Sequence, residues 1–324
     1  MATDPKKVLL SGIQPSGRLH VGNYFGAMRQ FVELRNEFDT YISIVNYHAL
    51  TSTQNREELI KNTEDAILDN LAIGLDSGTV FLQSDIPEVT ELAWIFNTLI
   101  TVPYLSRAVA YKEKVERGLE PTVGLFDYPV LQAADMLIVD AQVVPIGHDQ
   151  RQHIEMARDI ADKFNNRYGK TFKLPKEYIL EGVATVPGID GQKMSKSYGN
   201  TIPLFATDEE IDSLVMKIIT DSKGEKEPKD PETDTVFALH RLFSVSMLSE
   251  LHARYTEGSI GYKESKEILA RSIKAFVAPL REKRMNLEKD RDQIHEILDA
   301  GKKRVRKIVV EKMERVRRSV GVSF

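Results

Sequence analysis

Short apolar runs alternate with longer segments of helical periodicity over roughly the first 200 residues. Residues 8–10, 41–45, 80–82, 137–139 and 143–144 are strand candidates, because they are short and rich in β-branched or other apolar side chains. Apolar positions recur at helical spacing over residues 22–37. Asn55 with Glu58 resembles a capping pair that opens a helix running to about residue 73, and further helices are expected at 89–99 and 149–166. Parallel strands need long crossovers, usually helices, so the alternation predicts an α/β fold with a doubly wound parallel sheet.

After about Asn200 the strand candidates end. Helical patterns with charged faces occupy residues 207–220, 235–254, 262–283 and 285–318. The glycine-bearing stretch around residues 190–205 is the expected boundary. The sequence therefore predicts a Rossmann-like sheet domain at 1–204, a helical domain at 205–295, and an amphipathic basic helix at 296–324 that packs back on the body of the protein.

Composition restricts the class of protein. The 324 residues include no cysteine, which excludes disulfides, thiolate zinc sites and cysteine-held iron–sulfur clusters. A net charge of −4 argues against a chain that coats nucleic acid along its whole length. No apolar run approaches a membrane span, and the N-terminal apolar stretch is too short for a secretory signal. We expect a cytoplasmic protein with no membrane partner.

The first chemical motif is GIQPSGRLHVGN, residues 12–23, between a predicted strand and a predicted helix. Such a junction binds ligands in open α/β sheets, and a helix N-terminus favours phosphate. His20 and Asn23 can donate hydrogen bonds to charge that develops on a transferring phosphate, and Gly22 leaves room for a flat base or ribose. A glycine-rich turn with a structural histidine is the alternative.

The second motif is KMSKS, in which Lys193 and Lys196 lie between glycines. A glycine-hinged loop carrying two lysines can close over a polyphosphate and stabilise the charge that leaves with pyrophosphate. A solvated basic loop is the alternative. KMSKS follows HVGN by about 170 residues, at the end of the α/β half.

This order of HVGN and KMSKS resembles that of the class I aminoacyl-tRNA synthetases. Asn23 replaces the last histidine of the family's HIGH motif, a change that the tryptophan and tyrosine branch tolerates. GIQPSG at 12–17, YPVLQAAD at 128–135 and PIGHDQRQHIEMARDIADKFN at 145–165 are similar to segments of bacterial tryptophanyl-tRNA synthetases. The similarity covers nearly all of the α/β half, whereas the C-terminal half matches only in helical texture and length.

The resemblance implies which residues contact the substrates. The implied catalytic residues are His20, Asn23, Lys193 and Lys196. The implied ATP contacts are Gln14, Pro15, Ser16, Gly22, Asn23, Gly147, His148, Asp149, Val186, Lys193, Met194, Ser195, Lys196 and Ser197. The implied tryptophan contacts are Leu10, His48, Gln132, Asp135 and Gln150, and further phosphate contacts are Lys112 and Lys114.

Asp135 carries the expected amino-acid specificity. By resemblance its carboxylate accepts the indole N–H, and a buried carboxylate selects a substrate with a donor because a substrate without one leaves the charge unpaired. A helix-terminal aspartate in a surface turn is the alternative. Leu10 replaces a phenylalanine and Gln132 a methionine of many relatives, and His148 replaces a glutamate. His48 can equally be a structural histidine, Asp149 an N-cap, and Lys112 with Lys114 a solvated pair.

We therefore expect an enzyme that uses ATP with Mg²⁺, arriving as a substrate complex, to activate tryptophan and load it onto tRNA. No tightly bound cofactor, zinc or iron–sulfur cluster is expected. The resemblance implies a homodimer. Alternatives are a tyrosine-specific enzyme of the same fold, or a non-catalytic relative that binds nucleotide or tRNA. The basic side chains among residues 302–318 form either a solvated face or a contact to the tRNA backbone, while Val305, Ile308, Val309, Met313 and Val316 form a stripe that packs on the protein.

Overall fold

The computed structural model describes residues 6–76, 78–107, 109–116, 118–146, 151–179 and 185–323, without the side chains of residues 109, 110 and 113. These ranges contain five β-strands in one parallel sheet, in the order β3-β2-β1-β4-β5. They are β1 (Val8–Ile13), β2 (Asp39–Ile44), β3 (Val80–Leu82), β4 (Val143–Ile146) and β5 (Lys176–Ile179).

Helices fill the connections between the strands. The described ones in this part of the chain are α1 (Val21–Asn23), α2 (Arg29–Leu34), α3 (Asn46–Ala49), α4 (Arg56–Ala72), α5 (Glu88–Asn97), α6 (Val102–Leu105), α7 (Val109–Glu116), α8 (Val123–Ile138) and α9 (Arg151–Tyr168). A π-helical turn, Tyr24–Met28, joins α1 to α2. The later helices are α10 (Asp208–Met216), α11 (Thr235–Phe243), α12 (Leu248–Glu257), α13 (Tyr262–Lys289) and α14 (Arg291–Val320).

The strand order confirms the predicted doubly wound α/β class. The chain moves outward from β1 through β2 and β3, and then returns to the other side of β1 for β4 and β5. Right-handed crossovers that reverse direction in this way place helices on opposite faces of the sheet. The reversal lies between β1 and β4, where ligands bind in folds of this kind.

Several local predictions are wrong. Leu137 and Ile138 end helix α8 instead of forming a strand, because an apolar run alone does not separate a buried helix from a strand. The predicted helix at 235–254 is broken at Ser244, and the one at 285–318 is the end of α13 followed by α14. Strand β5 was not predicted, since only its last residue is β-branched. The predicted cap is present, because the Asn55 side chain accepts from the Glu58 N–H.

The packing of the chain gives two compact units, and they divide it differently from the scheme of 1–204, 205–295 and 296–324. Unit 1 comprises the described residues of 1–17, 31–181 and 290–324. Unit 2 comprises those of 18–30 and 182–289. Each has its own apolar core, with the sheet in unit 1 and helices α10 to α13 in unit 2. The HVGN and KMSKS motifs both belong to unit 2.

Helix α14 is part of the unit 1 core. Val305, Val309, Met313 and Val316 are fully buried, and Gly301 lies against the Val80 carbonyl of β3. The basic residues beside this stripe fall into two groups: some are paired within unit 1, whereas others are exposed, as both sequence-based alternatives expected. The Lys312 ammonium is buried and lies 2.5 Å from Asp140, while Arg306 and Arg317 pair with Glu88 and Glu91. Lys303, Lys307, Arg315 and Arg318 remain exposed.

Candidate active site

Polar side chains follow the carboxyl ends of three neighbouring strands of unit 1. Gln14 follows β1, His48 follows β2 and Gln83 follows β3. Register pairs the ends of these strands, Ile13 with Ile44 and Ile44 with Leu82, so the three segments lie at one edge of the sheet. This is the edge at which ligands bind in open α/β folds.

Asp135, on α8, meets two of these segments in what we call the Asp135 cluster: Asp135, His48 and Gln83. The His48 Nε2 atom lies 2.9 Å from Asp135 Oδ2. Gln83 Nε2 lies 2.9 Å from both carboxylate oxygens and donates to them. The Asp135 side chain is only 12% exposed, so it is not the residue of a surface turn.

The backbone after β2 orients the cluster. Gln83 Oε1 accepts from the backbone N–H of Tyr47, at 3.0 Å, and more distantly from that of His48. Asn46 and Ser84 bond reciprocally beside it, since Asn46 donates to the Ser84 hydroxyl and accepts from the Ser84 N–H. These bonds hold the turn after β3 against helix α3. Sequence reasoning missed Gln83, although a polar residue directly after a buried strand was an available signal.

A small cavity adjoins the Asp135 cluster within unit 1. Its walls are apolar side chains of the sheet, α5, α8 and α14, together with a few polar groups: Leu10, Ser43, Phe81, Gln83, Ile86, Val89, Asp135, Ile138, Val139 and Val305. Leu10 and Asp135, predicted separately as tryptophan contacts, therefore line the same space. Gln132 is half-buried one turn before Asp135 on α8. Gly147, His148, Asp149 and Gln150 lie outside the described residues.

The two lysines predicted to reach phosphate differ. Lys112 is exposed on α7, whereas the Lys114 ammonium lies 3.7 Å from the centre of the Tyr128 ring. Burial lowers the pKa of Lys114. Tyr128 also bonds through its hydroxyl to His153 Nε2 at 3.0 Å. Lys114 is thus a packed side chain and Lys112 a solvated one.

In unit 2, His20 is the N-cap of helix α1. His20 Nδ1 accepts from the Asn23 N–H at 3.3 Å, and Asn23 Oδ1 accepts from the His20 N–H at 3.1 Å. Because Nδ1 is an acceptor, a neutral His20 ring carries its proton on Nε2. Among the described residues neither His20 Nε2 nor Asn23 Nδ2 has a partner, so both remain donors for a ligand.

Burial, and secondarily the positive charge of Lys196, lowers the pKa of His20 to about 4. His20 is 6% exposed, and its ring is neutral at pH 7. It can therefore donate a hydrogen bond to a phosphate oxygen without giving up a proton.

The HVGN and KMSKS motifs, about 170 residues apart, touch. The Gly22 N–H points to the Met194 sulfur at 3.3 Å, and an added Cβ at Gly22 would lie within about 3 Å of both His20 and Met194. Reciprocal backbone bonds support this HVGN–KMSKS contact, Val21 N–H to Ile202 and Leu204 N–H to Leu19. Gly22 is thus needed for close approach of the two segments rather than only for access of a base or ribose.

Asn200 organises the KMSKS loop from inside. This buried side chain accepts from the Ser195 N–H at 2.8 Å and donates to Asp190 and to the Lys193 carbonyl. A Cβ at Gly188 would overlap with the Asn200 amide, which explains the glycine there. Lys193, Lys196 and Ser197 are exposed on the loop that these bonds hold. The sequence offered no sign of this role beyond the position of Asn200 beside the motif.

The remaining predicted ATP contacts take several positions. Gln14 is exposed and donates to the Ser52 hydroxyl at 3.2 Å, Pro15 is buried and Ser16 exposed. Val186 and Met194 are core residues of unit 2, joined by the Met194 N–H and the Val186 carbonyl. Within the described ranges no cluster of three acidic or histidine side chains can hold a metal, and no helix is long and apolar enough to cross a membrane.

The fold, the Asp135 cluster and the HVGN–KMSKS contact together define a class I aminoacyl-tRNA synthetase. The sequence matches the model of the tRNA synthetases class I (W and Y) over residues 3–289, and the chain belongs to this family. The resemblance seen in the motifs is thereby confirmed.

The relatives lie on the tryptophan side of the family. A tryptophan–tRNA ligase of Fusobacterium nucleatum is 48% identical over 317 residues, 97% of each chain. One of Rhodopirellula baltica is 47% identical over 97% of this chain and 99% of its own. The structure of tryptophanyl-tRNA synthetase from Campylobacter jejuni, complexed with ADP and tryptophan, superposes with a TM-score of 0.93 at 43% identity, covering 97% of this chain and 99% of that one.

Proposed function

We infer that this protein activates L-tryptophan with ATP and transfers it to tRNA(Trp). The tryptophan carboxylate attacks the α-phosphorus of ATP, the bond to the β-phosphate oxygen breaks, and tryptophanyl-adenylate and pyrophosphate form. A terminal ribose hydroxyl of the tRNA then attacks the activated carbonyl, and AMP leaves. The substrate carboxylate is itself the nucleophile, so no protein nucleophile is required.

The HVGN–KMSKS contact is the observation that carries this function. It brings a neutral His20 donor, the Asn23 amide and the lysines of a bonded loop into one unit. Positioning and charge stabilisation are what phosphoryl and nucleotidyl transfer require. In the proposed mechanism His20 and Asn23 donate to the α-phosphate, while Lys193 and Lys196 stabilise the charge that moves onto pyrophosphate.

The remaining ATP contacts are proposed as follows. Mg²⁺ would arrive as part of the ATP complex and would neutralise part of the phosphate charge, so it would need no dedicated protein site. Gln14 to Ser16, Gly22, and Val186 with Met194 to Ser197 line the nucleotide, and residues 147–149 hold its ribose. Of the two α7 lysines, the exposed Lys112 is better suited to reach phosphate than the packed Lys114.

Tryptophan specificity is assigned to the Asp135 cluster. The carboxylate is nearly buried and bonded to donors, so it is an acceptor fixed in place. An indole N–H satisfies it, whereas a phenylalanine ring leaves it short of a donor. Leu10, His48 and Gln132 are the other proposed contacts to the tryptophan side chain. Gln150 is proposed to hold the amino acid's polar end.

The wider assembly is also proposed. We assign anticodon recognition to the helices of residues 205–295, because unpaired anticodon bases are accessible to side chains. A homodimer would let one tRNA bridge two subunits, and the site of action is the cytoplasm.

Pyrophosphate exchange with tryptophan, tyrosine and phenylalanine tests the function on wild type, Asp135→Asn and Asp135→Ala. Wild type should prefer tryptophan. A charge-assisted hydrogen bond of about 1.5–3 kcal/mol is at stake at Asp135, so both variants should lose roughly ten- to a hundredfold in kcat/KM for tryptophan. Phenylalanine, which has no ring donor, should be affected far less.

Preference of wild type for tyrosine would overturn the tryptophan assignment while leaving the class I chemistry intact. Indifference of tryptophan activation to both substitutions would move indole recognition away from Asp135. Absence of exchange with any amino acid would favour a non-catalytic binding protein.

A further inference from the structure

Gln83 is the most completely buried polar residue in contact with Asp135. It is 1% exposed and sits in the short turn that follows β3. Neither the motifs nor the resemblance assigns it a role. A buried primary amide is costly unless its oxygen and nitrogen are both bonded, and here both are.

Two backbone donors fix the orientation of the Gln83 amide. Its oxygen accepts from the N–H groups of Tyr47 and His48, so rotation by 180° would set an NH₂ group against backbone N–H groups. The amide nitrogen must therefore face Asp135. The N–H groups of α3 therefore decide that the Gln83 amide donates to the Asp135 carboxylate.

The bonds to Asp135 divide the carboxylate unequally. Gln83 donates across both oxygens, and His48 Nε2 adds a second bond to Oδ2 alone. Oδ1 keeps the larger unused acceptor capacity, since each carboxylate oxygen has two lone-pair positions. These bonds restrict rotation of the carboxylate and leave Oδ1 as an available acceptor.

We propose that Gln83 is a positioning residue for amino-acid selection, which holds the Asp135 carboxylate so that Oδ1 accepts the substrate's ring N–H. The proposal rests on the function proposed above. Gln83 itself does not touch the reacting atoms. Its effect should appear in tryptophan binding and in preference for tryptophan over phenylalanine, and not in the chemical step.

Three variants test this in the full-length protein, with KM and kcat measured by pyrophosphate exchange. Gln83→Met keeps the shape and removes the donor. Gln83→Glu replaces the donor with an acceptor facing a carboxylate. The double variant Gln83→Glu/Asp135→Asn exchanges the two groups, so that the amide introduced at position 135 donates to the carboxylate introduced at position 83, and the oxygen of that amide replaces Oδ1. Gln54→Glu, on an exposed loop residue of the same unit, controls for added negative charge.

Gln83→Met should raise KM for tryptophan about tenfold, and Gln83→Glu about a hundredfold, with kcat and KM for ATP little changed. The double variant should bind tryptophan about tenfold better than Gln83→Glu, because the exchanged pair restores the hydrogen bond. Gln54→Glu should match wild type. A role confined to folding would lower the active fraction, and hence kcat, without moving KM or the preference over phenylalanine.

A wild-type KM for tryptophan in Gln83→Met and Gln83→Glu, with wild type still preferring tryptophan, would overturn the proposal for Gln83 alone. So would losses that multiply in the double variant, to about a thousandfold or more, since that marks independent roles. If Gln83→Glu does not fold, Gln83→Met and the double variant carry the same comparison. A wild type that does not activate tryptophan would overturn this proposal together with the proposed function.

Discussion

Burial sets the charge of two histidines in unit 2. It lowers the pKa of His20 and of His240 to about 4 each. His240 is fully buried on α11 and bonds to the hydroxyls of Ser244 and Ser265 at 2.8 and 3.0 Å. Ser265 bonds onward to Tyr255, so neutral His240 ties α11 to α12 and α13.

The free energy of unfolding should fall as the pH drops from about 6.5 to about 4. In this window the unfolded chain binds protons that the folded histidines exclude, so stability is complete above the unfolded pKa and is lost toward the folded one. A single histidine shifted this far accounts for about 3 kcal/mol. Urea unfolding at several pH values should show a shallower decline for His240→Gln.

His252→Gln, at an exposed histidine of the neighbouring helix α12, is the matched control and should follow wild type. Equal pH dependence of wild type and His240→Gln would show that His240 is not held neutral.

Lys196 lies on the KMSKS loop and influences His20 electrostatically. Lys196→Ala should slow adenylate formation about a hundredfold, equivalent to about 3 kcal/mol in the barrier, while tryptophan binding changes little. The reason is that the charge it stabilises develops only as pyrophosphate leaves. Stopped-flow adenylation measures the rate. Lys263→Ala, an exposed lysine on α13, serves as control, and a near-normal rate in Lys196→Ala would remove this lysine from the mechanism.

At the scale of elements, the close approach of α14 to β3 depends on Gly301. A Cβ there would overlap with the backbone of Val80, and Val305, one turn later, lines the cavity beside Asp135. Gly301→Ala should lower the free energy of unfolding by about 1–3 kcal/mol although alanine favours helix, because overpacking against backbone outweighs propensity.

Gly124→Ala is the matched substitution in α8, where nothing lies within 4 Å of an added Cβ. It should be neutral or stabilising by up to about 1 kcal/mol. Thermal or urea unfolding of the two variants makes the comparison. Equal effects would mean that α14 can move away from β3 without cost.

At the scale of the whole molecule, function is proposed to be divided between adenylation and tRNA reading. Changing bases of the tRNA anticodon should impair charging, although the same enzyme forms adenylate at its normal rate without tRNA. The assay is aminoacylation with anticodon variants beside pyrophosphate exchange. A tRNA altered outside the anticodon loop is the control. Full charging of the anticodon variants would contradict the proposal that the helices of 205–295 recognise the anticodon.

The sequence by itself determined the class of fold and the family. Alternation of strand and helix patterns predicts a doubly wound sheet, because periodicity is a local property of the chain. The motifs around His20 and Lys196 identify the chemistry because their residue types and order are legible without a structure. Local reading failed where periodicity is ambiguous, as at Leu137 and Ile138 at the end of α8.

Only the tertiary structure decided the features that depend on distant contacts. The pKa of His20 follows from burial, Gly22 is needed because Met194 lies against it, and α14 joins the sheet unit from the far end of the sequence. The same holds for Gln83, whose partners Tyr47 and Asp135 lie 36 and 52 residues away. Hydrogen bonds and desolvation act between neighbours in space, and the linear order of residues does not specify those neighbours.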